Sequence, residues 1–290
     1  MILKQTHIVQ ELTDPIRLQE YGVGIFQQVS IKSALNKALK KNLITVDGVV
    51  GSTATFIKGG EIIIYHATEK ETNTRLVLTL KVIYEDEYMA VINKPAGILV
   101  SGNGFKTVAN ALAQNLSPST LFDAVGPKPV HRLDYATTGL LLVGKTSSAI
   151  TALNKLFEHK EITKTYYAVT IGSQIPAGVI DDAIDDKPAS SSFKVVKSLK
   201  SERFSFLNLV KLNPRSGRRH QLRKHLLSIG NPILGDATYF LEGLQLKGKG
   251  LYLHAGTLEF IHPFTQEKMK IVTSLPKKFR KLFPEEGLLH

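Results

Sequence analysis

The sequence predicts an α+β protein with a small N-terminal module and a larger C-terminal domain. A chain of 290 residues is long enough to bury one large core and a second, smaller one. Residues 67–79 are polar and rich in Thr, without clear periodicity, which is typical of a linker. From residue 80 onward, short strand-like runs outnumber the helical stretches. We therefore expect a module at 1–66, a linker at 67–79 and a domain at 80–290.

The N-terminal module combines two short helices with a small β-unit. We expect helices at Ile16–Tyr21 and Ala34–Lys41, a strand at Leu43–Val46 before a turn at Asp47-Gly48, and a strand at Glu61–Tyr65. The polar surface around the second helix collects four lysines: Lys32, Lys37, Lys40 and Lys41. A single cluster of this kind is usually a solvated face.

In the C-terminal domain the patterns predict strands joined by a few helices. The elements expected, in chain order, are two strands within Lys81–Val100, a helix at Val108–Leu116, a strand at Leu140–Val143, a helix at Ser147–His159, strands at Lys164–Gly172 and Phe204–Leu212, a helix from Arg219, a strand pair at Leu251–Gly256 and Phe260–Pro263, and a final strand and short helix.

A cluster of charged residues precedes the most apolar of these strands. His131, Arg132 and Asp134 come just before Gly139 and the apolar run Leu140–Val143. In an extended chain Arg132 and Asp134 share a face, because side chains repeat every second residue. A carboxylate beside a cation stays ionised at neutral pH, which suits a nucleophile or a base. The alternative is a structural ion pair at a strand end.

The overall charge points to a polyanionic partner. Lys and Arg number 37 against 25 acidic residues, for a net charge of +12 and an isoelectric point near 9.6. Such an excess favours binding to phosphates, and no amphipathic helix suggests attachment to an anionic membrane. We expect a nucleic acid as the partner, no membrane association and a monomer.

Composition also bounds the kind of protein. With 43% apolar and 21% charged residues, the chain resembles ordinary soluble globular proteins. We find neither a run of about eighteen apolar residues nor a secretory signal within residues 1–15, and expect a cytoplasmic location. The absence of Cys excludes disulfides and thiolate metal sites.

Several motifs together resemble those of the RluA-type pseudouridine synthases. His131-Arg-Leu-Asp134 followed by Thr137-Thr-Gly139 is similar to the signature of that family. Further blocks follow the family's pattern in the expected order: Asn93–Gly97, Lys164–Gly172, Lys187–Val195, Gly217–His225 and Gly230–Tyr239. The resemblance spans about Leu80 to Pro276. It implies a mixed, mostly antiparallel sheet with flanking helices and a basic cleft, and an RNA-modifying isomerase that needs no metal or organic cofactor.

The resemblance also implies roles for particular residues. Asp134 would be the nucleophile and Arg223 its ion-pair partner. Tyr166 would stack on the uracil and is the candidate to accept the proton from its carbon 5. Arg132 would fill the space that the target nucleotide leaves when it flips out. The other expected RNA contacts in this domain are Lys94, His131, Arg218, Arg219 and His220.

The N-terminal module resembles the alpha-L RNA-binding motif of a ribosomal small-subunit protein. Val46-Asp47-Gly48 and Gly59-Gly60-Glu61-Ile62 lie where that motif has its two conserved elements, and Lys32 replaces an Arg. This resemblance, together with the net charge, favours RNA binding over a merely solvated face for Lys32, Lys37, Lys40 and Lys41.

Two other functions compete with this prediction. One is an RNA-binding or assembly protein without activity, although such a protein would not need Asp134, Tyr166 and Arg223 together. The other is a nucleoside or glycoside hydrolase, for which a second carboxylate paired with Asp134 would be expected. The sequence leaves open whether the RNA is ribosomal or transfer RNA, and whether Asp134 attacks the ribose or the pyrimidine ring.

Overall fold

The computed structural model describes residues 3–26, 29, 32–67 and 76–284. The chain divides into two compact units, Met1–Arg75 and Leu76–His290. The predicted linker lies partly outside the described residues, at 68–75, as does the end of the chain from residue 285. Among the described residues, no helix is both long and apolar enough to span a membrane.

The N-terminal unit contains a four-stranded sheet with the order β1-β6-β3-β4, and a two-stranded pair of β2 with β5. Its elements in chain order are β1 (Leu3–Ile8), β2 (Ile16–Arg17), α1 (Leu18–Tyr21), α2 (Lys32–Lys40), β3 (Ile44–Val46), β4 (Val49–Val50), β5 (Phe56–Ile57) and β6 (Ile62–Ala67).

The main predicted elements of this unit form, and the structure adds four strands that were not predicted: β1, β2, β4 and β5. The turn at Asp47-Gly48 joins β3 to β4 with φ values of 48° and 82°, as expected for a two-residue hairpin. The first helix begins at Leu18, because Ile16 pairs with Ile57 in the adjacent strand. Strand β1, which was not predicted, pairs along its whole length with β6. Because most residues of β1 are polar, the sequence pattern did not indicate a strand there. Pairing with β6 stabilises it.

The C-terminal unit contains ten strands and four α-helices within its described residues. In chain order they are β7 (Lys81–Glu85), β8 (Met89–Lys94), α3 (Val108–Ala111), β9 (Ala124–Pro129), β10 (Thr138–Thr146), α4 (Ser147–Glu158), β11 (Thr163–Ile171), β12 (Ala177–Ile180), β13 (Ser191–Ser201), β14 (Ser205–Pro214), α5 (Gln221–Ser228), β15 (Leu253–Ile261), β16 (Lys268–Val272) and α6 (Lys277–Leu282).

These ten strands form one sheet with the order β12-β13-β14-β11-β15-β10-β8-β7, to which β16 adds on β15 and β9 on β10. Of the strand pairs formed by the described residues, β10 with β15 is parallel and the others are antiparallel. The predicted α+β class with a mixed, mostly antiparallel sheet is therefore confirmed.

Strand β10 is the centre of this unit, and both of its faces are buried. Leu141 and Val143 pack against α3, whereas Leu140 and Leu142 pack against α4. Gly139, at φ 117°, lies so close to β15 that an added Cβ would overlap the backbone of Ala255. This close contact at the start of β10 holds the preceding loop, which carries Asp134, against the sheet.

One prediction for this unit is wrong. The expected strand pair at Leu251–Gly256 and Phe260–Pro263 is the single strand β15. The chain continues without a turn because β15 pairs with β11 on one side and with β16 over residues 257–261. The predicted helix at Val108–Leu116 forms as α3 followed by a short 3₁₀ helix, Leu112–Gln114.

Candidate active site

A cavity of about 430 Å³ opens in the C-terminal unit beside the loop before β10. Asp134, Tyr166 and Arg223 line it together, although they come from three separate motifs. The loop before β10 supplies Asp134, strand β11 supplies Tyr166 and helix α5 supplies Arg223. The order of the sheet brings these elements together, because β11 and β10 both lie next to β15.

The carboxylate of Asp134 lies near two basic groups without a hydrogen bond to either. Its Oδ2 is 3.8 Å from Nη1 of Arg223, and its Oδ1 is 3.9 Å from Nε2 of His220. The side chain is 19% exposed. These distances compensate the negative charge and still leave the oxygens free to approach a substrate atom, as a nucleophile must.

Arg223 is held by a residue to which the sequence analysis gave no role, Asp236. Its Nε and Nη2 each donate a 2.7 Å hydrogen bond to the buried carboxylate of Asp236. Asp236 also accepts from the backbone N–H groups of Thr238 and Tyr239. Burial alone would lower the pKa of Arg223, but the hydrogen bonds and charge of Asp236 raise it. The fork geometry directs the remaining nitrogen, Nη1, towards Asp134. In the sequence, Asp236 lies within the Gly230–Tyr239 block, but nothing in that block identifies Arg223 as its partner.

Tyr166 lies half-buried in the cavity wall on β11. Burial raises the pKa of its phenol, and the nearby charge of Asp134 raises it further. The phenol therefore loses its proton less readily than that of a free tyrosine, so less of the phenolate, the form that would accept a proton, is present. Transfer of the carbon 5 proton to Tyr166 stays a prediction, and the ring is available for stacking on a base.

His131 stabilises the loop that carries Asp134 through contacts with β10 and α4. Its Nε2 accepts a 2.9 Å hydrogen bond from the backbone N–H of Leu142, and its ring packs on Phe157 with centroids 4.7 Å apart. Burial and the charge of Lys164 lower its pKa to about 3, so the ring is neutral. Since Nε2 is occupied by the backbone of β10, the structure favours a supporting role for His131 over the expected RNA contact.

Lys94 corrects another expectation. Its side chain is fully buried, so the expected RNA contact is excluded in this conformation. The ammonium donates to the carbonyl oxygens of Pro95 (2.9 Å), Tyr135 (3.3 Å) and Thr137 (2.9 Å). Burial lowers its pKa to about 8, although the charge of Asp134 opposes this. Lys94 therefore fastens the loop that carries Asp134 to strand β8.

The remaining candidates of this unit lie at the mouth of the cavity. Arg132, Arg218 and Arg219 are exposed and line it, and Arg218 also donates to the carbonyl of Pro188. His220 has a left-handed backbone, with φ 57°, just before α5. Its Nδ1 is hydrogen-bonded to the hydroxyl of Tyr239 at 3.0 Å, and burial lowers its pKa while Asp134 opposes that shift.

Gln221 is a second residue to which the sequence analysis gave no role. Its Oε1 accepts from the N–H of Arg218 and the hydroxyl of Ser216. Its Nε2 donates to the carbonyl of Ser190 and the hydroxyl of Ser191. A buried amide with all these partners fixes the basic loop before α5 against strand β13.

The four lysine candidates of the other unit are Lys32, Lys37, Lys40 and Lys41. All are exposed on or next to α2, whose opposite face buries Leu35, Ala38 and Leu39. Among the residues that the structure describes, no three His, Cys, Asp or Glu side chains group as metal ligands would.

Comparison with known proteins places this geometry in a family. Residues 88–228 match the family model described as RNA pseudouridylate synthase. A protein of Buchnera aphidicola subspecies Schizaphis graminum, named ribosomal large subunit pseudouridine synthase D, is 31% identical over 92% of both chains. The tRNA pseudouridine synthase C of Vibrio vulnificus is 30% identical over 70% of this chain and 94% of its own.

A solved structure, that of human RNA pseudouridylate synthase domain containing 4, has a similar fold. It is 26% identical, with a TM-score of 0.55 over 69% of this chain and 90% of its own. The motifs, the sheet and the relatives that align over nearly the whole length agree. The chain belongs to the RluA-type family of RNA pseudouridine synthases.

Proposed function

We propose that this protein converts uridine to pseudouridine in ribosomal RNA, with Asp134 as the nucleophile of a reaction that needs no cofactor. The observation that carries the proposal is the carboxylate of Asp134, which borders a cavity large enough for a nucleotide and is compensated by Arg223 without being hydrogen-bonded to it. As an RNA pseudouridine synthase, the protein is an isomerase.

The reaction balances within the nucleotide. The bond between N1 and the ribose carbon 1′ breaks, the uracil turns, and carbon 5 bonds to carbon 1′. Carbon 5 loses a proton and N1 gains one, so no oxidant, reductant or other co-reactant is required. Attack by Asp134 on the ribose or on the ring would each hold the intermediate covalently, and both need an ionised, accessible carboxylate.

The other side chains of the cavity orient the substrate in this proposal. Arg223, held by Asp236, compensates the negative charge of Asp134 before the carboxylate bonds to the substrate and again after that bond breaks. The ring of Tyr166 stacks on the uracil and retains it while it turns. The base must leave its helix or loop to enter the cavity, and exposed Arg132 fills the space left behind.

The relatives favour ribosomal RNA as the target. The relative named for the ribosomal large subunit aligns over 92% of this chain. The relative named for tRNA aligns over 70%, which is close to the share of the C-terminal unit alone. In this proposal the N-terminal unit binds ribosomal RNA through the exposed lysines of α2.

The test is a product analysis that separates the three competing functions. The purified protein is incubated with transcribed ribosomal RNA and transfer RNA labelled in uridine, and the nucleosides are then separated. We expect pseudouridine with the wild type and none with Asp134→Asn at unchanged RNA affinity. Free uracil would indicate a hydrolase instead, and binding without any new nucleoside would indicate a binding protein.

Mapping assigns the target. Pseudouridines are located in the ribosomal and transfer RNA of cells with and without the gene, and we expect sites in ribosomal RNA to be lost. Loss of sites in transfer RNA alone would contradict the proposed target and leave the chemistry intact.

A further inference from the structure

A lysine in the wall of the cavity has no role in the mechanism above. Lys164 lies on β11, two residues before Tyr166, and both side chains line the cavity. It is half-buried, and its ammonium lies 6.0 Å from the centre of the Phe157 ring.

Among the described residues Lys164 has no ion-pair partner, and the carboxylate other than Asp134 that lines the cavity, Glu158, is exposed. Burial lowers the pKa of Lys164, and no neighbouring carboxylate opposes that shift. Arg223, a buried cation of the cavity, is paired with Asp236. The remaining cations that line the cavity are exposed at its mouth: Arg132, Lys160, Arg215, Arg218 and Arg219.

A partly desolvated and unpaired cation costs free energy, which an incoming anion would recover. The substrate of the proposed function brings its own anions. Uracil is neutral, but the target uridine carries a phosphodiester on each side of its ribose. Asp134 repels these phosphates, so a cation within the cavity is needed to hold them near that carboxylate.

We propose that Lys164 binds a phosphate of the target uridine itself, an inference that rests on the proposed function. This contact would hold the ribose beside Asp134 while the base is detached and turned. The rim arginines would instead contact phosphates of neighbouring nucleotides, where water and salt screen the interaction. The structure thereby separates a buried phosphate subsite from a general electrostatic surface.

A double-mutant cycle between protein and RNA tests the contact. The RNA is a synthetic hairpin around a uridine found by the mapping, with a neutral methylphosphonate in place of its 5′ or its 3′ phosphate. The protein variants are Lys164→Met and the matched control Lys160→Met, which removes an exposed lysine of the same cavity.

We expect Lys164→Met to lower kcat/KM by roughly tenfold to a hundredfold, the range for hydrogen bonds to charged groups. One of the two methylphosphonates should cost the wild type a similar factor and cost Lys164→Met almost nothing further. For Lys160→Met the two losses should multiply. Lys164→Arg keeps the positive charge and should restore most of the activity and the coupling, which separates the contact from a folding defect.

The subsite would be refuted if the losses in kcat/KM from Lys164→Met and from each methylphosphonate multiplied, as they should for Lys160→Met. Pseudouridine formation would still support the proposed function in that case. A second measurement does not depend on turnover. In an NMR titration, the wild type should prefer uridine 3′,5′-bisphosphate over uridine by a larger factor than Lys164→Met does. Equal preference in the two proteins would refute the subsite even if the protein made no pseudouridine.

Discussion

Asp134 and Asp236 share Arg223 unequally. Asp236 takes two hydrogen bonds of 2.7 Å, whereas Asp134 has a contact of 3.8 Å. A carboxylate that accepts two hydrogen bonds from one guanidinium is a weaker nucleophile, because its lone pairs are occupied. The buried Asp236 therefore positions the arginine, and the partly exposed Asp134 is free for chemistry.

This division predicts the effect of Asp236→Asn. The substitution removes one charge of a buried pair, which typically costs about 3–5 kcal/mol of stability, and it releases Arg223. We expect a lower midpoint of urea unfolding and a fall in kcat of at least about tenfold, equivalent to 1.4 kcal/mol. The control is Asp185→Asn, which breaks the exposed pair with Lys224. Equal effects of the two substitutions on kcat would contradict the positioning role.

His131 predicts a specific dependence of stability on pH. Its pKa is about 3 in the folded protein, against about 6.5 for an unfolded histidine. Below pH 6.5 the unfolded chain binds a proton at His131 more readily than the folded protein does. The contribution of neutral His131 to the free energy of unfolding is therefore complete above pH 6.5 and is lost as pH falls towards 3. The slope between those values is about 1.4 kcal/mol per pH unit.

The measurement compares unfolding of the wild type and His131→Gln by urea at several pH values. The amide oxygen of Gln can still accept the N–H of Leu142 but does not titrate. Below pH 6.5 we expect the wild type to lose stability relative to His131→Gln, by about 1.4 kcal/mol for each pH unit. A difference that is constant from pH 7 to pH 4 would show that His131 already titrates normally.

At the level of elements, strand β10 connects the core to the site. Its residues are buried on both faces, and its parallel pairing with β15 begins at Thr138 and Gly139. The loop immediately before it carries Asp134. Lys94 of β8 donates a hydrogen bond to this loop at Thr137, and His131 in the loop accepts one from Leu142 of β10. A shift of β10 would therefore move the carboxylate directly.

Gly139→Ala tests this coupling. The added Cβ would overlap the backbone of Ala255, and the φ of 117° is unfavourable for an L-residue. We expect a loss of about 3 kcal/mol or more in the free energy of unfolding, and loss of product at temperatures where the protein remains folded. Gly126→Ala on β9 is the control, because nothing lies within 4 Å of its added Cβ. Full activity of a folded Gly139→Ala protein would refute the coupling.

At the level of the whole molecule, most of the net charge of +12 lies in the C-terminal unit, since residues 1–75 contain 9 Lys and Arg against 7 Asp and Glu. In the N-terminal unit, the lysines of α2 and Lys41 after it are exposed. In the C-terminal unit, exposed cations, mostly arginines, lie at the mouth of the cavity. Each phosphate neutralised by a protein cation releases counterions and adds to the salt dependence of binding.

Charge removal on α2 should therefore weaken RNA binding. We expect Lys37→Gln, Lys40→Gln and Lys41→Gln together to raise the Kd for ribosomal RNA and to lower the slope of log Kd against log salt by about one for each lost phosphate contact. Single-turnover rates at saturating RNA should be unchanged. Both quantities come from filter-binding and product assays over a range of salt concentrations.

The control removes the same charge elsewhere, with Lys194→Gln, Lys197→Gln and Lys200→Gln on the exposed side of β13. We expect this triple variant to change the slope less. Equal slopes for the two triple variants would mean that binding responds only to net charge and that α2 is no particular RNA-binding surface.

Much of the local structure followed from short-range patterns. The apolar run of β10, the amphipathic repeat of α4 and the Asp47-Gly48 turn were predictable, because periodicity and turn geometry depend on near neighbours in the chain. The joint role of Asp134, Tyr166 and Arg223 was instead implied by the resemblance of three separate motifs to those of one family. Strand β1 escaped prediction because its stability comes from pairing with β6, which is remote in sequence.

The arrangement of the site came from the packing of distant segments. No pattern within the chain indicated that Lys94 is buried under the loop, that His131 is bound to β10, or that Asp236 takes the stronger hold on Arg223. Residue types and spacing identify which groups can do chemistry, because those properties are local. Burial, pKa and distance depend on which strands become neighbours in the sheet, and folding brings those strands together across long stretches of sequence.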